Sequence, residues 1–399
     1  MFTRKTWELI FCSVVSMLVA AIAIFAFESY ALERITGSAL DTARFLRALR
    51  LVKSEYNGET TDRALFDGAI RGLIDACGDP YTVYLGEEDY RQLTEMTDGS
   101  FGGIGIVFGK RGDEYVVISA IPDNPGALAG IKSGDVITAV GGISARELNM
   151  EQIAQKIRGE KGTEVVLELK DKSGKLRTVR VIRQEIKNPS VAGRLLEGTK
   201  IGYIRIAVFN EATGQDFEDV YRKLEKEGME ATILDLRSNP GGLFTSGVKV
   251  AGLLVPKGEI VSVVDKRGAR HTELSKLEKV KYPLAVLVDH GSASASEIVA
   301  GAIKDTGSGR LIGVKTFGKG SVQSVYRLDG ETAVKITTAK YYTPSGISIH
   351  NVGIEPDETV ELLDGATGDA QLEAARKYLE GRLKELAGKE AEAAKQAKP

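Results

Sequence analysis

The sequence predicts a mixed fold in which an α/β core follows a smaller α+β domain, a helical region and a single membrane-spanning helix. Three observations carry this prediction. Residues 186–365 alternate strand and helix patterns, which is typical of an α/β core. Residues 165–170 and 176–183 alternate like strands on either side of a turn at 172–175, which is typical of a strand-rich domain. Residues 9–27 form a run of 19 residues without a charge, long enough to cross a bilayer.

The composition excludes several classes of function before any motif is considered. The chain has 399 residues, enough for two or three domains, and 43% of them are hydrophobic, ample for globular cores. A net charge of −2 gives no reason to expect a nucleic-acid partner. Cys12 and Cys77 lie in segments that are not expected to meet, and no Cys/His cluster has the spacing of zinc ligands. Neither a metal nor a cofactor is predicted.

The apolar segment 9–27 predicts how the chain is oriented at a membrane. Arg4 and Lys5 precede it, which favours an N-terminus inside and the rest of the chain outside. A cleaved signal peptide is the alternative. Because the run is long for a signal peptide and no clear A-x-A site follows it, an uncleaved anchor over residues 1–31 is favoured.

Residues 32–97 are predicted to be helical. Leu40, Leu46 and Val52 belong to one set of apolar residues at helical spacing, and residues 66–74 contain a second set. The segment 79–85, with the sequence DPYTVYL, ends this region. It is interpreted as a packing segment without visible chemistry.

Residues 284–297 deliver a serine to the start of a helix. An apolar run at 284–288 predicts a buried strand, and a helical pattern begins near Ile298. Between them Ser294 has only small neighbours, which resembles the nucleophile elbow that exposes a serine oxygen near backbone N–H groups. The alternative is a structural role, because Ser294 and Glu297 have the spacing of a capping box.

A nucleophilic serine needs a base, and the sequence favours a lysine over the three histidines. His290 lies on the same turn, four residues before Ser294, and is poorly placed to reach back. Lys319 lies between two glycines and becomes a base only if burial lowers its pKa. Gln323 follows and is placed to orient the amine. The alternative is a glycine turn with a solvated lysine, as expected for Lys315.

These motifs resemble the carboxy-terminal processing (tail-specific) serine peptidases. The resemblance consists of SASASE, a lysine in TFGKG 25 residues after the middle serine, and a glutamine four residues further on. It implies Ser294 as nucleophile, Lys319 as general base and Gln323 as its support.

Two further segments extend the resemblance to this family. The turn LRSNPGG is similar to the family's DLR-x-NPGG, which implies an oxyanion hole formed by the amides of Gly242 and Ala295, with Gly241 as the alternative to Gly242. Residues 334–346 match the family's TTA-x-YYTPSG strand. Ile347 departs from the pattern, because an arginine or lysine is common there.

Residues 98–184 resemble a PDZ domain, with residues 150–157 as the helix that lines its groove. The FGGIGI segment contains the predicted carboxylate-binding residues, whose backbone N–H groups would surround a terminal carboxylate: Gly103, Ile104, Gly105 and Ile106. By resemblance to some relatives, Arg158 is the candidate sensor of the bound state. The alternative is a solvated cation that the helix end favours.

The prediction is therefore a serine endopeptidase, single-pass in the cytoplasmic membrane, that cleaves proteins with free C-termini on the periplasmic or cell-surface side. The predicted domains are an anchor (1–31), a helical region (32–97), a PDZ domain (98–184), a Ser–Lys peptidase core (185–365), and a helix to about 386 with a solvated tail (366–399). By resemblance, the helical region can mediate formation of a homo-oligomer. The resemblance does not identify an activating partner. Two alternatives remain: a Ser-His-Asp hydrolase using His290 and Asp289, and an inactive PDZ scaffold that binds protein C-termini.

Overall fold

A computed structural model describes residues 36–187, 189–362 and 368–396, with positions 15, 17–19, 30, 33 and 34 before them. The chain divides into two compact units, Met1–Gly78 and Asp79–Pro399. The predicted anchor at 9–27 lies outside the described residues except for positions 15 and 17–19. In the part of the chain that the structure describes, no helix is both long and apolar enough to cross a membrane.

Among the described residues of the first unit, two helices have defined bounds, α1 (Ala39–Glu55) and α2 (Asp62–Asp75). Each begins at a hydroxyl residue whose side chain accepts an N–H of the first turn: Ser38 caps α1 and Thr61 caps α2. Lys53 of α1 pairs with Asp62 of α2 at 2.8 Å. The helical pattern predicted for this region is confirmed over these ranges.

The second unit begins with a short strand and a helix, β1 (Val83–Leu85) and α3 (Glu87–Asp98). The PDZ-like strands follow: β2 (Ser100–Gly103), β3 (Ile106–Arg111), β4 (Glu114–Ala120), β5 (Val136–Val140), β6 (Ile143–Ser144), β7 (Glu164–Lys170), β8 (Leu176–Ile182) and β9 (Gln184–Lys187). Two helices accompany them, α4 (Pro125–Leu128) and α5 (Met150–Ile157). The main sheet has the order β3-β4-β5-β7-β8, so β3 is an edge strand, and β2 pairs separately with β9.

A six-stranded sheet forms the centre of the α/β core, in the order β10-β11-β12-β15-β16-β19. Its strands are β10 (Val191–Leu195), β11 (Ile201–Ile206), β12 (Ala231–Asp235), β15 (Leu284–Val288), β16 (Arg310–Gly313) and β19 (Glu358–Thr359). β12 and β15 are parallel neighbours. The loops that follow these two strands therefore meet at one edge of the sheet, where α/β proteins place their sites.

A second sheet joins segments that are distant in sequence. It contains β13 (Gly258–Asp265), β14 (Arg270–Ser275), β17 (Ser321–Arg327) and β18 (Ala333–Tyr342), and β1 pairs with β18. The register places Val83 opposite Lys335. The DPYTVYL segment is thus built into the sheet that carries the predicted lysine loop, which immediately precedes β17.

Apolar residues cover both faces of the six-stranded sheet. α6 (Thr213–Lys226), α7 (Phe244–Gly252) and α8 (Ala295–Thr306) pack on one face, together with residues of β13 and β18. The other face packs against Ala375 and Leu379 of α9 (Ala370–Gln396). This last helix extends ten residues beyond the end predicted near 386, because its Ala-, Glu- and Lys-rich sequence favours helix throughout.

Candidate active site

Ser294 adopts a strained conformation at the start of α8. Its φ of 55° and ψ of −114° are rare for a residue with a side chain. The Glu297 carboxylate accepts the Ser294 N–H at 2.9 Å, and the Tyr341 hydroxyl donates to the Ser294 carbonyl at 3.1 Å. Ser294 and Glu297 have the arrangement of a capping box, as the structural alternative predicted. The Glu297 side chain thus caps the helix start, and the Ser294 hydroxyl donates no hydrogen bond to any described group.

The two outer serines of SASASE hold the turn in place. The Ser292 hydroxyl donates to the Leu236 carbonyl at 2.8 Å, and the Ser296 hydroxyl donates to the Asn239 carbonyl at 3.0 Å. Both side chains are fully buried. These two hydrogen bonds tie the nucleophile turn to the turn after β12. Of the three serines, Ser294 is the one whose hydroxyl makes no such bond.

Glu297 connects the nucleophile turn to the lysine loop. Its carboxylate is fully buried and accepts four hydrogen bonds within 2.6–2.9 Å, from the N–H groups of Ser294, Gly318 and Lys319 and from the Thr316 hydroxyl. Burial raises the pKa of Glu297, and these four donors oppose that rise. Since every contact is a donor, the geometry fits the ionised carboxylate. The sequence pattern identified Glu297 only as a cap.

Tyr341 connects the same two residues through their carbonyl groups. Its hydroxyl donates to the backbone carbonyls of both Ser294 and Lys319. Burial raises its pKa well above the ordinary value, and the nearby Glu297 and Tyr81 add to that rise. Tyr341 therefore remains a donor at neutral pH. Ser294 and Lys319 thus share one partner for their N–H groups and another for their carbonyls, which sets their relative position.

The Lys319 side chain lies in a half-buried position. Burial lowers the pKa of its amine, Lys335 lowers it further, and Glu297 opposes the change. Its Nζ lies 5.0 Å from the centre of the Tyr81 ring. Phe317 does not provide the burial, because 57% of it is exposed. The apolar neighbour comes from the DPYTVYL segment, which the sequence analysis assigned to packing alone.

Gln323 lies on β17, four residues after Lys319. Its side-chain nitrogen donates to the hydroxyls of Ser321 at 2.9 Å and Thr337 at 3.3 Å. Within the described residues it makes no hydrogen bond with Lys319. Its carbonyl oxygen accepts none either, so that oxygen stays open to the amine.

The turn after β12 brings two glycines against the nucleophile. Gly241 and Gly242 have φ of 95° and 139°, and a Cβ on Gly241 would lie 2.8 Å from the Ala295 nitrogen. The Gly241 N–H already donates to the Asn239 side chain at 2.9 Å. The N–H groups of Gly242 and Ala295 have no acceptor among the residues that the structure describes. This arrangement favours Gly242 over Gly241 as the partner of Ala295 in an oxyanion hole.

The histidine alternative is not supported by the contacts of the nucleophile turn. The Asp289 carboxylate accepts from the Ser238 N–H at 2.7 Å and the Gly291 N–H at 2.9 Å. Those contacts shape the turn, and His290 is exposed beside it. No hydrogen bond joins His290 to Asp289 or Ser294 in the described residues.

An ion-pair network anchors the same turn from behind. The Arg237 guanidinium contacts Asp235 at 2.6 Å and Asp369 at 2.8 Å, and it donates to Gln371 at 3.1 Å. Tyr203 donates to Asp235 at 2.7 Å. Burial would lower the pKa of Arg237, but the two carboxylates outweigh it and raise the value. The start of α9 is thereby fastened to the turn that carries Gly241 and Gly242.

The sequence is similar to known proteins over most of its length. A model described as peptidase family S41 matches residues 200–360, a PDZ-domain model matches residues 116–171, and a model described as the activating protease CtpB N-terminal domain matches residues 28–89. Carboxy-terminal processing protease CtpA of Bacillus subtilis (strain 168) is 38% identical over 322 residues, which cover 80% of this chain and 69% of the relative. The chain belongs to the carboxy-terminal processing proteases of this peptidase family. It is a serine-type endopeptidase with a PDZ domain, as predicted.

Two other proteases illustrate the similarity. Carboxy-terminal processing protease CtpB of the same organism is 34% identical over 323 residues, covering 80% of this chain and 67% of the relative. Among solved structures, the photosystem II D1 C-terminal processing protease is 33% identical and covers 78% of this chain and 86% of that chain, with a TM-score of 0.47.

The PDZ domain of this protease places the predicted tail-binding residues before its edge strand. Gly103 pairs with Gln184, Ile104 is buried in the domain core, and Gly105 has a φ of 70°. Ile106 begins β3 and packs against the core from a partly buried position. The outer edge of β3 is unpaired in the described sheet, as strand addition by a peptide requires.

Arg158 directly follows α5 at the base of this domain. Its guanidinium lies 4.5 Å from the centre of the Phe101 ring, and one of its nitrogens is 4.0 Å from the Glu95 carboxylate. Phe101 begins the glycine segment, and Glu95 belongs to α3. Arg158 thus bridges the PDZ domain and the helix that leads into it, and a sensing role stays a prediction.

Proposed function

We propose that this protease is anchored in the cytoplasmic membrane, cleaves proteins near their C-termini outside the cytoplasm, and uses a Ser294–Lys319 dyad controlled by its PDZ domain. The observation that carries the dyad is the pair of shared partners: Glu297 accepts the N–H groups of both residues, and Tyr341 donates to both carbonyls. Such an arrangement has a clear use where a nucleophile and its base must keep one relative position.

In the proposed mechanism, the neutral Lys319 amine removes the Ser294 proton while the serine oxygen attacks the substrate carbonyl carbon. The carbonyl electron pair moves onto oxygen, and the N–H groups of Gly242 and Ala295 stabilise that charge. The Lys319 ammonium then protonates the departing amine as the C–N bond breaks. A water molecule, deprotonated by Lys319, then attacks the carbonyl carbon of the resulting ester. The Lys319 ammonium returns the proton to the Ser294 oxygen as the ester C–O bond breaks. In this proposal the carbonyl oxygen of Gln323, which accepts no hydrogen bond from a described group, would receive the ammonium between these steps.

Two substitutions test the dyad. Ser294→Ala and Lys319→Ala should each reduce cleavage of a short peptide to background while the thermal unfolding midpoint stays near that of the parent. Lys315→Ala is the matched control, because Lys315 is on the same loop and pairs with Glu355 at the surface. Full activity of folded Lys319→Ala would disprove the base assignment, and full activity of Ser294→Ala would disprove the nucleophile.

The lowered pKa of Lys319 adds a pH test of the same proposal. A base must be unprotonated, so kcat/KM should rise with pH through the pKa of the free enzyme's lysine. Since burial and Lys335 disfavour the ammonium, this rise should be complete well below the pKa of about 10.4 for a solvated lysine. A rate that keeps increasing to about pH 10 would mean that Lys319 is solvated.

The proposed PDZ control predicts a preference for free C-termini. It is supported by the unpaired edge of β3, which would hold a substrate tail, and by the glycine segment that precedes it. A tail held there raises the effective concentration of the substrate near Ser294. Amidation of a long substrate's C-terminus should therefore slow its cleavage and leave a short peptide unaffected. Equal cleavage of both long forms would disprove tail recognition, and the inactive-scaffold alternative would show tail binding without any cleavage.

The proposed anchor rests on the uncharged run at 9–27 and on the preceding Arg4 and Lys5. The full chain should sediment with membranes and resist extraction at alkaline pH. Protease added from the outer side should reach the catalytic part in cells whose outer barrier is opened. Recovery of the full chain in the soluble cytoplasmic fraction would disprove this location.

A further inference from the structure

Tyr81 places an aromatic face against the proposed base. The Lys319 Nζ lies 5.0 Å from the ring centre, within the range in which a cation is attracted to the ring. Among the described residues, this amine makes no hydrogen bond and no ion pair. The Tyr81 ring face is the one contact recorded for this amine among the described residues.

The ring is held firmly by its own segment. The Tyr81 N–H donates to the Asp79 carboxylate at 3.1 Å, and the Thr82 hydroxyl donates to the same carboxylate at 2.6 Å. The Thr82 hydroxyl also accepts the Thr337 N–H at 3.0 Å, which ties the segment to β18. Burial would raise the pKa of Asp79, but the hydrogen bonds it accepts outweigh this and lower the value. A charged Asp79 thus fixes the backbone that carries the ring.

His350 supports Tyr81 from another element. The two ring centres are 6.5 Å apart at 63°, an edge-to-face arrangement. A Cβ on Gly320 would lie 2.6 Å from the backbone nitrogen of His350, so the His350 backbone also contacts the lysine loop. The Tyr81 backbone is therefore held by its own hydrogen-bonded turn, and the Tyr81 ring packs against His350.

The charged and titratable groups around the amine come from four elements. Burial and Lys335 disfavour the ammonium, whereas Glu297 favours it. The quadrupole of the Tyr81 ring also favours the ammonium, because its face is negative. Among the described residues, the interacting groups in this region are Asp79 and Tyr81 before β1, Glu297 on α8, Lys335 and Tyr341 on β18, and His350 after β18.

We propose that Tyr81 is a positioning residue for Lys319, whose ring face holds the protonated amine and thereby sets the pH at which the lysine acts as a base. This inference rests on the proposed role of Lys319. It assigns a task in the reaction to the DPYTVYL segment. The contact between the ring and the amine must be weak. A strong ion pair at the same position would keep Lys319 protonated and unable to act as a base.

The test compares Tyr81→Phe, which keeps the ring face, with Tyr81→Leu and Tyr81→Met, which keep apolar volume without it. The pH dependence of kcat/KM for a short peptide reports the free enzyme. Tyr81→Phe should reproduce the parent profile. Tyr81→Leu and Tyr81→Met should move the rising limb to lower pH by roughly half a unit to one unit, the pKa equivalent of an exposed to partly buried cation–π contact. Their plateau kcat should also fall, because the amine is less well placed.

A second measurement separates this inference from the proposed function. In a Ser294→Ala background, the pH dependence of Lys319 modification by an amine-reactive reagent, read by mass spectrometry of the peptide, reports the amine without catalysis. It should shift to lower pH with Tyr81→Leu in the same way. Tyr326→Leu, which changes an exposed tyrosine on β17, is the control that should leave the modification profile in place.

An unchanged profile in Tyr81→Leu and Tyr81→Met, or a shift to higher pH, would overturn the role of Tyr81 while leaving the dyad intact. Activity in Lys319→Ala would instead overturn the dyad.

Discussion

Replacing Glu297 by glutamine and by alanine measures how much of the site's geometry depends on one buried carboxylate. One oxygen accepts the N–H groups of Ser294 and Lys319, and the other accepts the Gly318 N–H and the Thr316 hydroxyl. Alanine removes all four acceptor contacts. Glutamine keeps the shape but turns one oxygen into an NH₂ group, which must face one of the two pairs of donors.

The expected orientation of the glutamine follows from its partners. Its NH₂ should face Thr316 and Gly318, because a hydroxyl can rotate and accept whereas an N–H cannot. The Ser294 and Lys319 N–H groups then keep an acceptor, and one buried donor, the Gly318 N–H, loses its partner. That loss costs about 1–3 kcal/mol of unfolding free energy.

Glu297→Ala should destabilise the fold more, on the order of 4 kcal/mol or above, since four buried donors lose their acceptor. Its kcat should fall by roughly 100-fold or more, because neither Ser294 nor Lys319 keeps the hydrogen bond that holds its backbone. Glu297→Gln should retain a larger share of kcat than Glu297→Ala. Urea unfolding and peptide cleavage are the two assays, and Lys315→Ala is the control for changes in the loop. A Glu297→Ala variant with parental kcat and unfolding midpoint would refute the connecting role.

Two further perturbations test parts of the site farther from the nucleophile. Asp369→Asn should cost about 1–2 kcal/mol of stability near pH 7, because Arg237 loses a charged acceptor that is itself one-third exposed. Burial raises the pKa of Asp369, and the Arg237 contacts lower it by more, so the folded pKa lies below the unfolded one. The contribution of Asp369 to stability is therefore present above the unfolded carboxyl pKa and is lost as pH falls through the folded value. The urea midpoints of parent and variant should converge in acid. Gly99→Ala should lower kcat for a short peptide, because a Cβ at this position would lie 2.2 Å from the Asn210 side chain. Gly112→Ala is the matched control: Gly112 has a similar φ, but no atom lies within 4 Å of its added Cβ, so this variant should lose only stability. Equal kcat values for these two alanine variants would count against that contact.

The strands of the core were predictable because strands buried on both faces consist mainly of apolar residues, and such runs are visible in the sequence. Residues 284–288 are a continuous apolar run and residues 231–235 are mostly apolar, and both segments are buried parallel strands. Ser294 could be selected among three serines by its motif, and the structure adds a physical distinction: Ser292 and Ser296 are occupied by hydrogen bonds to carbonyls. Local pattern and local structure agree at these positions.

Partners that come from distant segments were not predictable from the same patterns. Glu297 has the spacing of a cap, and nothing in that spacing reveals its contacts with Gly318 and Lys319. Tyr81 lies more than 200 residues from Lys319, and only the pairing of β1 with β18 brings them together. Phe317, the aromatic residue nearest to Lys319 in the sequence, is exposed and does not supply the apolar contact. Side-chain direction in a glycine-rich loop depends on tertiary packing, which sequence spacing does not report.

The proposed PDZ control requires a physical connection between the domain and the chemistry, and the described contacts contain one. The PDZ strands begin directly after Gly99, where the Thr97 carbonyl accepts the Glu211 N–H at 2.8 Å. Glu211 directly follows Phe209 and Asn210, and Phe209 pairs with Gly242.

A displacement of the PDZ domain about Gly99 would therefore act on the segment that holds the proposed oxyanion N–H. Asn210 accepts hydrogen bonds from Thr213 and is buried, so the segment cannot absorb such a movement by bending outward. The proposed control then works by completing or distorting the Gly242 position, and it requires no change in Ser294 or Lys319, whose shared partners lie on other elements.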